Sequence, residues 1–132
     1  MKVLVDTSVW SIALRRGKKS KSKIADELQS LIADYRVQII GPIRQEILSG
    51  IRERNQFEKL EKHLSAFPDL EITTDDYVTA ADYFNVCRSR GIQGSNTDFL
   101  ICAMAARNHL AIFTTDKDFG KFVKHLPVTL HV

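Results

Sequence analysis

The chain has 132 residues, a length that favours one compact domain with a buried core. It is 44% apolar and 27% charged, an ordinary globular balance that excludes a disordered chain. A net charge of +3 is too mild to point to nucleic acid by itself.

No apolar run approaches the ~20 residues needed to span a bilayer. The N-terminus Met1-Lys2-Val3-Leu4-Val5-Asp6 meets an acid too early to be a secretory segment, which predicts a cytoplasmic protein. Cys87 and Cys102 agree with a reducing compartment, and they lack the spacing of a zinc or dithiol motif.

The first predicted element is a short buried strand over residues 2–5. Ser8–Leu14 reads as a helix, with Thr7 or Ser8 able to cap it. A basic stretch follows, in which Arg15, Arg16, Lys18, Lys19, Lys21 and Lys23 are interleaved with Gly17, Ser20 and Ser22. Such a run either binds phosphates by releasing counterions or is a solvated loop. Ile24, Leu28, Leu31 and Tyr35 then mark a second helix.

Residues 37–40 read as a second strand. Gly41-Pro42 opens a helix, since proline suits its first position, and Gly50 interrupts it. Phe57, Leu60, Leu64 and Phe67 mark an amphipathic helix, and residues 69–72 a short strand. Thr73-Thr74-Asp75-Asp76 looks like a capped helix start, with Tyr77, Ala80, Ala81, Phe84 and Cys87 as its apolar face. Gly91 is its expected C-terminal glycine. A polar loop over 91–96 leads to a helix capped by Asn96 or Thr97, apolar on nearly every side and therefore buried. Strands are expected at 111–114 and 128–131. Alternating strands and helices predict an α/β fold with a mainly parallel sheet covered by helices.

Four acids stand out at the ends of apolar segments: Asp6, Glu46, Asp98 and Asp116. Open parallel sheets bind ligands beyond the carboxyl ends of their strands, where these acids can meet. Crowded carboxylates repel each other unless a cation neutralises them. Their oxygens suit a hard divalent ion such as Mg²⁺ or Mn²⁺, and such an ion supports hydrolysis of a phosphate ester without a side-chain nucleophile.

Each acid also has an ordinary reading. Asp6 can cap its helix, Glu46 can be a surface residue, Asp98 can answer a helix dipole, and Asp116 and Asp118 can stabilise a turn. Only their joint arrangement favours chemistry. Thr7, Ser8 and Thr114 lie beside the acids, where hydroxyls can orient a carboxylate, although capping is the simpler role for Ser8. Trp10 and Phe119 read as packing residues before base-stacking ones. His63, His109, His125 and His131 are scattered and form no motif with Ser or Cys.

Val3-Leu4-Val5-Asp6-Thr7-Ser8-Val9-Trp10, Glu46 after Pro42, the segment Thr97–Ala105, and Thr114-Thr115-Asp116-Lys117-Asp118-Phe119 together resemble the successive motifs of PIN-domain proteins. The likeness extends to the toxin ribonucleases of prokaryotic VapBC toxin–antitoxin pairs and covers essentially the whole chain. It implies a single PIN domain over residues 1–132, with a parallel sheet between helices in three layers. It also implies a Mg²⁺- or Mn²⁺-dependent endoribonuclease.

On this resemblance Asp6, Glu46, Asp98 and Asp116 form the acidic quartet, with Asp6, Asp98 and Asp116 as metal ligands. Thr7, Thr114 and Asp118 stand nearby in support, Asp118 at a less constant position. The resemblance further implies a VapB-like antitoxin seated in an apolar groove, an RNA substrate, a homodimer and no membrane. The helix faces near 9–14 and 24–35 are candidates for part of that groove. Arg15, Arg16, Lys18 and Lys19 are candidates for guiding RNA.

Other classes fit less well. A nuclease of DNA or of RNA processing on the same fold differs only in substrate. Aspartyl-phosphate phosphotransfer of the haloacid-dehalogenase kind needs an acid where Ser8 stands. A phospho-receiver module needs an early acidic pair and a middle aspartate. A non-catalytic nucleic-acid-binding module would rely on the basic loop alone.

Overall fold

A computed structural model of the chain describes residues 1–14 and 22–132. The basic residues Arg15, Arg16, Lys18 and Lys19 lie outside this description. The elements run β1 (Val3–Val5), α1 (Thr7–Ala13), α2 (Lys23–Ala33), β2 (Val37–Gln38), α3 (Gly41–Leu48), α4 (Arg54–Leu64), α5 (Thr74–Ser89), α6 (Asn96–Asn108), β3 (Ala111–Phe113), α7 (Asp118–Phe122) and β4 (Thr129–Leu130). The four strands form one parallel sheet in the order β2-β1-β3-β4.

Sheet order decides where the chemistry sits. From β1 the chain crosses one way to β2, then returns over β1 to reach β3. Right-handed crossovers in opposite directions place their helices on opposite faces, hence three layers. The reversal falls between β1 and β3, where an open α/β sheet leaves a crevice beyond its strand ends. Val5 is in register with Phe113, so Asp6 and Thr114 leave the sheet side by side.

The central strands β1 and β3 are apolar throughout because both sheet faces are covered. Val3, Leu4, Val5 and Ile112 are fully buried, an apolar run without alternation. Helix α6 lies in the core, with Phe99 through Ala105 all buried, and it packs against α5. Trp10 and Phe119 are core residues, and Trp10 meets Phe67 edge to face at 5.5 Å. Phe67 keeps this contact although α4 has already ended at Leu64.

Several boundaries differ from the sequence expectation. Of the caps the sequence offered for α1, the structure uses Asp6 rather than Thr7 or Ser8: its carboxylate accepts the Thr7 N–H at 2.8 Å. Tyr35 does not join the face of α2; it is 87% exposed with φ of 57°, turning the chain sharply into β2. Residues 69–72 form no strand: Ile39 and Asp69 make one isolated parallel bridge. The cap of α6 is Ser95, since only there can the hydroxyl reach the Asp98 N–H.

The inward face of α5 also differs. Tyr77 and Ala81 are exposed, whereas Asp76, Ala80 and Cys87 are buried. Asp76 points inward because it closes a capping box with Thr73 and accepts two bonds from Arg107, at 2.7 and 2.8 Å. This clamp ties the start of α5 to the end of α6. The bonds from Arg107 hold the Asp76 carboxyl below the usual carboxylate range. Gly91, at φ of 75°, takes the left-handed turn that follows α5.

Candidate active site

Asp6 is the anchor of the site. It follows β1 directly and is only 7% exposed. Its Oδ1 accepts the Thr7 N–H. Its Oδ2 accepts two hydroxyl hydrogens, from Ser8 at 2.9 Å and Thr114 at 2.8 Å. The two hydroxyl oxygens lie 3.3 Å apart, each directing its hydrogen to Asp6. They also accept backbone hydrogens from the loop after β3: Ser8 Oγ from Thr115 N–H at 3.1 Å, Thr114 Oγ1 from Asp116 N–H at 3.0 Å. A closed set of bonds thus joins Asp6 to the segment that carries Asp116.

Glu46 arrives from α3. Thr7 Oγ1 donates to Glu46 Oε1 at 2.6 Å, so the residue after Asp6 holds Glu46 beside it. Pro42 sits in the first turn of α3, which orients this helix out of β2. Asp98 stands in the first turn of α6. Its Oδ2 accepts the Ser95 N–H at 2.9 Å while Ser95 Oγ accepts the Asp98 N–H, a reciprocal capping box. Asp116 Oδ1 accepts the Asp118 N–H at 2.9 Å, which starts α7. Asp118 therefore acts here through its backbone, while its carboxylate lies 3.9 Å from Lys121.

Asp98 has the most telling electrostatics. Burial pushes its carboxyl up, and the neighbouring Asp116 and Asp6 push it further, against the lowering bonds from Ser95. Three acids from three distant segments thus share one field. Cys102, one turn further along α6, is fully buried, and burial pushes its thiol far up, the opposite of the exposed, low-pKa setting of a reactive thiol. Among the described residues no group of three or more His, Cys, Asp or Glu stands close enough to hold a metal ion. Yet Glu46 Oε2, Asp98 Oδ1 and Asp116 Oδ2 take no hydrogen bond from any described residue. The oxygen donors thus suit a hard cation in kind and retain free valence.

Sequence reasoning undervalued Ser8, which the structure places in the bond set around Asp6 rather than in capping. The signal was its position: two residues after a strand-end acid, the first helical turn returns a side chain to the strand end. The four histidines stay apart from the acids. His131 pairs with Glu27 at 2.6 Å and packs on Phe113, and His63, His109 and His125 are exposed.

The family model for the PIN domain matches residues 3–124. Ribonuclease VapC11 from Mycobacterium tuberculosis is 32% identical over 121 residues, which is 89% of this chain and 88% of that protein. The fold matches the crystal structure of FitAcB from Neisseria gonorrhoeae with a TM-score of 0.78 at 19% identity, covering 98% of this chain and 96% of that one. It matches VapBC2 from Rickettsia felis, bound to a DNA fragment from its promoter, with a TM-score of 0.78 at 16% identity, covering 99% and 98%. A sheet reversing at β1, an acid on each side of the reversal, and a family match spanning both agree: the chain belongs to the PIN-domain family.

Proposed function

We propose that the protein is a Mg²⁺- or Mn²⁺-dependent endoribonuclease, the toxin of a type II toxin–antitoxin pair, acting as a single PIN domain in the cytoplasm. One observation carries the chemistry: Asp98 stands half-buried at the strand ends, where burial first and then the nearby Asp116 and Asp6 disfavour its charge. Such a set is adapted to a cation that arrives from outside. The similarity to a protein named as a VapC ribonuclease supports the substrate class.

Asp6, Asp98 and Asp116 would hold the ion. Bound there, a divalent cation lowers the pKa of a water and neutralises charge developing on the phosphate. Ser8 and Thr114 keep the Asp6 carboxylate facing the crevice and fix its distance from the Asp116 backbone. Thr7 orients Glu46, whose free Oε2 accepts the proton of the attacking water. A cation bound there would offset the neighbours that disfavour the Asp98 charge. Asp118 supports the turn at Asp116.

A VapB-like antitoxin is the proposed partner, and its seat is the groove between α1, α2 and α4. One hollow of about 360 Å³ is lined by Trp10, Ala13, Leu28, Ile32 and Phe67. A second of about 450 Å³ adjoins it, with Leu14 and Leu60 in both walls. An amphipathic partner helix fits such a surface. We also propose a homodimer. Among the described residues no helix is long and apolar enough to cross a membrane.

The test is cleavage of total tRNA and rRNA by purified protein with Mg²⁺, Mn²⁺ or EDTA, with Asp98→Asn as the contamination control and the new ends mapped. Discrete cuts that need both metal and Asp98 are expected. Equal cutting by the variant, or cuts in DNA alone, would overturn the assignment.

A further inference from the structure

A small cleft shares the loop that leads to Asp98 and takes no part in the chemistry above. Phe84, Arg88, Ile92, Gln93, Gly94 and Phe99 line it, between the end of α5 and the loop leading into α6. Its volume is about 150 Å³, below the roughly 300–1,000 Å³ of ordinary small-molecule sites and suited to one planar ring.

The cleft has a built shape. Phe84 and Phe99 meet edge to face at 5.5 Å and form its aromatic wall. The Arg88 guanidinium lies 6.0 Å from the centre of the Phe84 ring. Arg88 donates to no described residue, so a flat cationic face is available at the rim. Gln93 is exposed and brings an amide with both donor and acceptor to the same edge.

Gly94 makes the cleft possible. A Cβ at this position would lie 2.6 Å from Phe122 Cζ and 2.9 Å from Phe99 Cε2. Only a glycine lets the loop lie flat against these rings. The loop then passes directly to the acid: Ser95 N–H, the next residue, donates to Asp98 Oδ2. Chain length alone limits the Gly94–Asp98 Cα separation to about 14 Å.

We infer that this cleft is a subsite for one unpaired RNA base beside the bond that is cut. The inference rests on the ribonuclease reading for its ligand and on the cleft for its place. Unpaired bases are recognised by stacking on aromatic rings and guanidinium planes, with hydrogen bonds to their edges. Phe84, Arg88 and Gln93 supply those three features. The acids repel the phosphate backbone unless metal is present, so a cationic stacking group nearby also holds the strand in register.

The test is equilibrium binding of a fluorescent single-stranded RNA 10-mer to the full chain in EDTA, where nothing is cut, with one abasic site walked along the strand. The wild type should lose roughly tenfold in affinity at one abasic position. Arg88→Ala should lose roughly tenfold on the intact strand and become indifferent to that position. Arg88→Lys should keep charge but not the planar stack, and so lose the positional preference as well. Gln93→Ala should change which base is preferred there.

Variants that bind every strand like the wild type would overturn the inference. So would a uniform loss at all positions, which reads as removed charge. Digestion of total tRNA and rRNA with Mn²⁺ separates the two readings. The binding pattern without cleavage would sink the ribonuclease reading and leave the cleft; cleavage with unpatterned binding would sink the cleft alone.

Discussion

Thr114 Oγ1 donates to Asp6 Oδ2 across 2.8 Å, although 108 residues separate the two along the chain. The bond spans the ends of β1 and β3, the two strands between which the sheet reverses. It converts a topological crevice into a fixed acidic site, since Thr114 also accepts the Asp116 N–H. Thr114→Val should therefore lower cleavage about 10- to 100-fold, the usual cost of removing a group that orients a metal ligand. Thr114→Ser should retain most of the activity. Equal loss in both would refute a role for the hydroxyl.

Ser8→Ala removes the second hydroxyl from Asp6 Oδ2 and leaves the Thr115 N–H without its acceptor. A stability loss of about 1 kcal/mol is expected by denaturant titration. The activity loss should exceed what that destabilisation explains and should shrink at saturating metal. A pure helix cap would move stability without moving the metal dependence.

Asp98→Asn should abolish cleavage yet leave the fold at least as stable at neutral pH. The amide oxygen can still accept the Ser95 N–H. The sign follows from the raised pKa of Asp98. Its folded state favours the protonated form, so ionisation costs stability as pH rises through the folded value. Removing the charge removes that cost. Calorimetry at pH 7 checks this, and a clearly lower midpoint would contradict it.

Asp76 behaves in the opposite way. Its folded pKa lies below its unfolded value because of Arg107. The stability it contributes is fully present above the unfolded value, near 3.8, and is lost as pH falls through the folded one. Arg107→Ala should lower the melting midpoint at pH 7 and flatten its fall below pH 4. An unchanged acid limb in the variant would show that Asp76 owes its low pKa to something else.

Leu14→Glu tests the partner surface. Leu14 is 41% exposed and lines both hollows, so a charge there should spare the fold and the nuclease. Co-expression with the cognate antitoxin should then no longer relieve toxicity. Full relief would place the partner elsewhere.

Much of this was legible in the residues because period and punctuation are local properties. An apolar run before Asp6, proline after Gly41 and the all-apolar stretch Phe99–Ala105 each specify an element through backbone sterics and burial within a few residues. The motif order added the acids. The cap of α6 fell one residue before Asn96 because several adjacent side chains can accept the same N–H. The face of α5 was misjudged because Asp76 reads as surface until its partner is known.

Composition and pattern by themselves thus determined the α/β alternation and the buried helix, and offered the four acids as candidates. Tertiary structure alone decided which hydroxyls serve Asp6, that Thr7 holds Glu46, and that Arg107 answers Asp76. The reason is physical: a helix or strand depends on contacts within a turn or two. A site depends on strand order, and strand order is set by how the whole core closes.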